Sequence, residues 1–239
     1  MKTVNIVHLY AKEMNIYGDN GNVLILQKRL QWRGVPVSVS QCNVGDTLPH
    51  NAHIIIGGGG QDAGQSAIAN DLLKKQKTLL AMRDNGVVML MICGMYQMFG
   101  HYFKTQDGDT IAGIGVVDAY TVAGKKRMIG NIHTKSDWGT LVGYENHSGK
   151  TYLNDGVAQL GVAQPEQGNN GEDMTEGVVA QNVFGSYLHG PLLAKSPKFA
   201  DHLLTQAIAL QGTVKQDVLS PIDDSIARLA KNVAIKRPR

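Results

Sequence analysis

Val87–Ile92 reads Val-Val-Met-Leu-Met-Ile, six consecutive apolar residues with no polar alternation. A run this short and this apolar is a strand covered on both faces, and such strands belong to parallel sheets sandwiched between helices. Two largely apolar runs precede it, Val4–Leu9 and Ala52–Ile56, and a β-branched run lies at Val35–Val39. Between the first strand and the β-branched one, Asn22–Arg33 places Val23, Leu24, Leu26, Leu30 and Trp32 near helical spacing, and Gly34 ends it. Ser66–Asn85 reads as a second helix, closed by Asn85-Gly86. Strands alternating with helices predict an α/β fold, a mainly parallel sheet with helices on both faces. Ligands of such sheets bind beyond the carboxyl ends of the strands. Two of those ends stand out: the glycine run Gly57–Gly60 after Ile56, and Cys93 after Ile92.

From Thr110 to Ala180 the pattern changes to short strand-like pieces broken by glycines, with a polar loop at Gln167–Asp173. This predicts antiparallel strands and long loops appended to the sheet. Ser196-Pro197 opens a helix through Gln211, and Ile222–Ala230 is the candidate for a last one. At 239 residues, the reading is one domain over 1–211 and a C-terminal extension over 212–239. A composition of 43% hydrophobic and 18% charged residues is that of a globular chain. The formal charge of +3 is small and dispersed, which argues against a nucleic-acid partner. The basic end, with Lys231, Lys236, Arg237 and Arg239, reads as a solvated tail. Cys42 and Cys93 are the only cysteines, far apart and without a signal peptide, so the expectation is a cytoplasmic protein without a disulfide framework. No apolar run is long enough to span a bilayer, so membrane association would be peripheral or through a partner. There is no G-x-x-x-x-G-K-[ST] motif, so no ATP site of its own is expected.

Cys93 directly follows a buried strand and precedes a short helix that ends near Gly100. At that junction backbone N–H groups can stabilise a thiolate and donate to an oxyanion, and Gly94 permits close approach at the turn. On position alone a small buried thiol is the commoner fate of a free cysteine, and Cys42 is read that way. A nucleophilic thiol needs a base. Of eight histidines His189 is the best placed, where the apolar Phe184–Leu188 stretch ends and Gly190-Pro191 turns the chain. His53, before a buried strand, and His202, in a helix, read as satisfied structural residues. The run Gly57–Gly60 offers backbone N–H groups for an oxyanion or for a phosphate. Its match to the dinucleotide fingerprint G-x-G-x-x-A, in Gly58–Ala63, is weak because it follows a later strand than the first.

Together Cys93-Gly94-Met95-Tyr96-Gln97 and Tyr187-Leu188-His189-Gly190-Pro191 resemble the elbow and late histidine of class I glutamine amidotransferases, in their cobyric-acid-synthase-like branch. His8-Leu9-Tyr10 and the segment Met14–Asn22, with Tyr17-Gly18-Asp19-Asn20-Gly21-Asn22, resemble the GatD-type glutaminase subunits of lipid II isoglutaminyl synthase. Gly59-Gly60-Gln61-Asp62, Arg127 with Gly130-Asn131, and Tyr144-Glu145-Asn146-His147 extend the resemblance over most of the chain, from Val4 to Pro191. It implies that Cys93 attacks the glutamine carboxamide, that His189 is acid and base, and that a γ-glutamyl thioester is hydrolysed by water. It further implies that backbone N–H groups near Gly60 and Gly94 hold the oxyanion, Arg127 the α-carboxylate, and that Gln97 shapes the pocket. Many class I enzymes carry a Glu two residues after the histidine; this chain has Pro191. The resemblance therefore implies a Cys–His pair with Asp19 as a possible third member, although an Asp in such a sequence is ordinarily a turn or cap residue. The implied partner is a MurT-type, Mur-ligase-like subunit that holds ATP and Mg and amidates the D-glutamate α-carboxyl of lipid II. No cofactor or metal is expected in this subunit, and the partner would hold it near the inner membrane face. A cysteine hydrolase or peptidase on a similar fold, and a non-catalytic binding subunit, are the alternatives.

Overall fold

The computed structural model describes residues 2–60, 62–212 and 219–238. β1 (Val4–Leu9) leads through α1 (Asn20–Gln31) to β2 (Val37–Cys42), which lies parallel beside β1. The chain then crosses to the other side of β1 as β3 (Ile54–Gly57), runs through α2 (Asp62–Asp84) and returns as β4 (Val88–Ile92). Parallel crossovers are right-handed, so winding outward from β1 in opposite directions puts α1 and α2 on opposite faces of the sheet. Every residue of β3 and β4 is buried, as the unbroken apolar runs require. β2 is the edge strand and is mostly exposed, which is why Ser38, Ser40 and Gln41 are accommodated in it.

After β4 come α3 (Gly94–Phe99) and then a second six-stranded sheet. Its strands are β5 (Tyr102–Lys104), β6 (Thr110–Ala112), β7 (Ala119–Ser136), β8 (Gly139–Leu153), β9 (Gly161–Val162) and β10 (Thr175–Glu176). The expected short pieces appended to the first sheet are instead a sheet of their own, built on the long antiparallel hairpin of β7 and β8. The glycines that look like strand breaks lie inside those strands because neighbours press on them. A Cβ on Gly143 would stand 2.8 Å from Leu188 Cβ, and one on Gly149 would strike the Gln97 amide.

β11 (Val178–Ala180) and β12 (Val183–Ser186) rejoin the first sheet, β12 parallel beside β4 and β11 antiparallel at the edge. Its order is β11-β12-β4-β3-β1-β2. A 3-10 turn at Leu192–Lys195 leads to α4 (Pro197–Ala209), which opens on a proline where no helical N–H is needed. The final helix is α5 (Ser225–Ile235) rather than 222–230, with Asp224 at its N-cap position. Arg29, buried in α1, grips that end: its guanidinium bonds both Asp201 of α4 and Asp224, while Arg33 bonds Asp201 and the Ser220 carbonyl. The basic end is therefore not a free tail. Lys231 lies in α5, and Asn131 Nδ2 donates to the Pro238 carbonyl at 2.6 Å. Arg239 falls outside the described residues. Among the described residues no helix is long and apolar enough to cross a membrane.

Candidate active site

Four neighbouring parallel strands, β1, β3, β4 and β12, each send chain out of the same edge of the sheet. Four segments follow them: the loop carrying Tyr17 and Asp19, the glycine run, Cys93, and His189. The site is thus assembled from residues far apart in sequence because their strands are adjacent in register, with Leu9 opposite Gly57, Gly57 opposite Met91, and Ser186 opposite Ile92.

Cys93 turns the chain from β4 into α3 with φ 50° and ψ −109°, a positive-φ conformation that costs a non-glycine residue energy and persists where surrounding bonds impose it. Those bonds are present. Cys93 N–H donates to the Ser186 carbonyl at 2.8 Å, and Gln97 N–H donates to the Cys93 carbonyl at 3.0 Å. The thiol is buried but borders a cavity of about 330 Å³.

His189 is fixed by a reciprocal backbone pair with Tyr144 of β8, at 3.0 and 3.1 Å. Its Nδ1 lies 3.0 Å from Asp19 Oδ2 and 3.2 Å from Oδ1. A carboxylate only accepts, so Nδ1 carries the proton of this bond and Nε2 is left for the thiol. Asp19 occupies the N-cap position of α1, yet its side chain makes no cap bond. Fully buried, it accepts instead from Gly59 N–H at 2.8 Å and from His189. Burial opposes the charged form of His189, but the Asp19 carboxylate and the Cys93 sulfur outweigh it and push the imidazole pKa up to about 10. A buried imidazole held between a carboxylate and a thiol can hold a proton for a leaving group and take one from an attacking group.

Gly59 is the point where the three meet. A Cβ there would lie 2.6 Å from His189 Cε1, 3.2 Å from Asp19 Oδ2 and 3.4 Å from Cys93 Cβ. The neighbouring glycines are covered by Met14 from the loop after β1. A Cβ on Gly58 would strike the Met14 carbonyl, and one on Gly60 would strike its sulfur. Gly94 is packed against Gly60: a Cβ on Gly94 would lie only 3.1 Å from Gly60 N, so the two backbones lie against each other.

Gly60, Gln97 and Arg127 all line the cavity that Cys93 borders. Gln97 is buried rather than on a helix surface. Its amide N–H donates to Tyr187 Oη at 3.0 Å, and its carbonyl accepts from Gln65 Nε2 at 2.7 Å. Arg127 sits at the irregularity where the β7–β8 register shifts between Ala123 and Met128, which turns its side chain out to the cavity rim. Its Nε donates to Asn146 Oδ1 at 2.6 Å. Cys42 is elsewhere, at the end of β2, with its thiol pKa raised by burial. His53 accepts from Asn5 N–H, and His202 meets Gln206, both away from the cavity. Gln61 and the side chain of Asp62 lie outside the described residues.

Sequence reasoning gave no role to Tyr17, Gln65 or Asn146. The Tyr17 ring packs on His189 with centroids 4.5 Å apart, and its hydroxyl accepts from Asn146 Nδ2 at 3.2 Å and Arg127 Nη2 at 3.4 Å. Tyr17 and Asn146 fall within segments already distinguished by resemblance. Gln65, on the inner side of α2, carries no sequence signal; only the fold brings its amide to Gln97 and the Gly94 carbonyl.

Residues 5–197 match the CobB/CobQ-like glutamine amidotransferase domain. The chain is 40% identical over 227 residues to the Streptococcus pneumoniae lipid II isoglutaminyl synthase (glutamine-hydrolyzing) subunit GatD, covering 93% of this chain and 86% of that one. It is 36% identical over 239 residues to the Staphylococcus aureus protein of the same name, covering 99% and 97%. Among solved structures, PurLQS from Thermotoga maritima superposes with a TM-score of 0.58 at 13% identity, over 88% of this chain and 100% of that chain. A glutamine amidotransferase from Thermotoga maritima superposes at 0.55 and 13% identity, over 98% and 94%. At that identity the two structures speak for the fold.

Proposed function

The chain belongs to the CobB/CobQ-like glutamine amidotransferase family, and on that premise we propose that it is the glutaminase subunit of a two-subunit enzyme that amidates lipid II. The observation that carries this is the convergence of Asp19, Cys93 and His189 around Gly59, with Cys93 bordering a cavity of about 330 Å³. Glutamine enters with its α-carboxylate on Arg127, where a planar guanidinium already oriented by Asn146 can hold it. Gln97, locked by Gln65 and Tyr187, shapes the wall beside the side-chain amide.

The Cys93 thiol passes its proton to His189 Nε2 as its sulfur attacks the carboxamide carbon. The C=O electron pair moves onto oxygen, which the backbone N–H groups of Gly60 and Gly94 stabilise. His189 gives its proton to the amide nitrogen, the C–N bond breaks, ammonia leaves, and a γ-glutamyl thioester remains. Water then loses a proton to His189 as it adds to the thioester, the C–S bond breaks, and glutamate departs. Asp19 orients the imidazole throughout and favours its charged form, filling the role of the third member that Pro191 cannot. Ammonia passes to a MurT-type, Mur-ligase-like subunit that carries ATP and Mg and activates the D-glutamate α-carboxyl of lipid II. This subunit needs no cofactor for its half of the reaction, and the partner with its lipid substrate would hold it at the cytoplasmic membrane face.

A peptidase would need a long groove for the chain on either side of the scissile bond, whereas Tyr17, Arg127 and Asn146 are bonded to one another in the wall of this cavity. The test is release of glutamate from glutamine by the chain with its ligase subunit. Cys93→Ala abolishes it, and a glutamine-mimicking electrophile labels the wild type at Cys93. Unchanged glutamate release in Cys93→Ala would overturn the proposal.

A further inference from the structure

α5 is secured at both ends. Arg29 holds Asp224 and Arg33 holds the Ser220 carbonyl before it, and Asn131 holds the Pro238 carbonyl after it. Yet no residue of α5 is buried. The partly covered side carries Ala227, Lys231 and Ala234. The other side carries Ile226, Leu229 and Val233, which remain 81%, 65% and 48% exposed. Their spacing of i, i+3 and i+7 is that of the apolar side of an amphipathic helix, which normally turns inward. Here the terminal anchors hold it outward.

Val233 also stands in the wall of a cavity of about 500 Å³ that shares no lining residue with the glutamine cavity. Its other walls include Tyr144, Lys195, Arg237 and His189. The exposed ridge and a cavity that reaches the His189 segment are therefore one continuous surface. Charge narrows what can cover it. From Ser225 to Arg239 there is no acidic residue, while α5 and the residues after it carry Arg228, Lys231, Lys236 and Arg237. A second copy presenting the same helix would set base against base. The complementary surface is an apolar groove with carboxylates on its rim. Three aliphatic side chains fall well short of the roughly 800 Å² per partner that a stable interface buries, so the ridge is an anchor within a footprint that extends over the cavity.

We propose that α5 docks the ammonia-consuming ligase subunit, with Ile226, Leu229 and Val233 seated in an apolar, acid-rimmed groove and the cavity beside His189 covered by the same body. This rests on the function proposed above. A cavity that reaches the segment bearing the histidine that releases ammonia is best covered by the protein that uses the ammonia.

The experiment measures binding of the purified full chain to the purified ligase subunit for wild type, Ile226→Glu and Leu229→Glu. Each variant should weaken binding by at least about 30-fold, the range of an interface hot spot. Thermal midpoint and labelling of Cys93 by a glutamine-mimicking electrophile should match wild type, because both side chains are exposed and neither touches the site. Affinities within about threefold of wild type for both variants overturn the docking proposal while leaving the function intact. Wild-type chain that does not bind the ligase overturns the function and the docking together. Sedimentation of wild type with vesicles containing anionic lipid, lost in the variants while ligase binding is kept, assigns the ridge to a membrane instead. Self-association of wild type that Leu229→Glu abolishes, again with ligase binding kept, assigns it to a second copy.

Discussion

Replacing Gly59 by alanine adds one methyl group at the point where three side chains meet. Gly59 is not among the glycines with positive φ, so the exchange tests crowding and not backbone strain. The added Cβ would lie 2.6 Å from His189 Cε1, whereas ordinary contact begins near 3.4 Å, so the imidazole must retreat by about 0.8 Å. It cannot do so and keep its 3.0 Å bond to Asp19, which is itself held by Gly59 N–H. Misplacement on the order of 1 Å costs about 100-fold in rate, and overpacking of this kind costs about 1–3 kcal/mol of stability. The expected result for Gly59→Ala is a fall of about two orders of magnitude in kcat/KM for glutamine hydrolysis. Tm should fall by only several degrees, at about 2–4 °C per kcal/mol for a chain of this size. Steady-state glutamate release, with a thermal melt on the same preparation, measures both. A variant that folds and retains kcat/KM within about threefold of wild type would refute the view that the geometry around Gly59 sets the rate.

Asp19→Asn removes a charge that helps hold the His189 pKa near 10, so the alkaline limb of the kcat/KM profile should move to lower pH; an unmoved limb would remove Asp19 from the machinery. Tyr17→Phe keeps the ring against His189 but loses the hydroxyl shared with Arg127 and Asn146. It should raise KM for glutamine about 3- to 10-fold with kcat nearly unchanged, whereas Tyr17→Ala should lower kcat as well. Identical kinetics for the two variants would contradict a divided role. Glu176, buried beneath Tyr187, has its pKa pushed up to about 7 by burial, against bonds from Tyr187 N–H and Ser186 that lower it. A carboxyl with a raised folded-state pKa favours folding below its unfolded value, near 4.5, and loses that contribution as pH rises through about 7. Relative to wild type, Glu176→Gln should therefore gain stability between those limits; a constant Tm difference from pH 4 to 8 would show that the group does not titrate there.

The parallel sheet is legible because strands buried on both faces cannot carry polar residues, and Val87–Ile92 announces one without ambiguity. β2 is legible only approximately, since an edge strand with Ser38, Ser40 and Gln41 facing water has no apolar pattern to mark where it ends. The second sheet is obscured by glycines such as Gly143 and Gly149, whose reason for being small lies on Leu188 and Gln97 in other elements. Within the site, Cys93 and His189 can be picked out because each ends an apolar strand at a glycine. Asp19 is suggested as a third member by resemblance alone: its position predicts a helix cap, and it is the packing of β1 beside β3 that turns its carboxylate to Gly59 and His189. Gln65 shows the limit most plainly. Its partners are 29 and 32 residues away and belong to another element, so nothing local distinguishes it from the polar residues around it in α2.

Pro191 stands where many class I amidotransferases keep a glutamate, and its ring fills the space beside Gly21, where a Cβ would come within 3.0 Å of the Pro191 Cβ. The proline thus wedges the beginning of the helix that bears Asp19 against the turn that bears His189. On the proposed assignment, a position that serves chemistry in other members serves mechanical alignment here, and the charge has moved to a different strand end. Such an exchange is hard to reverse one residue at a time. A glutamate placed at 191 would lose the wedge before it gained the histidine, already engaged by Asp19, so the two arrangements do not interconvert through that single exchange.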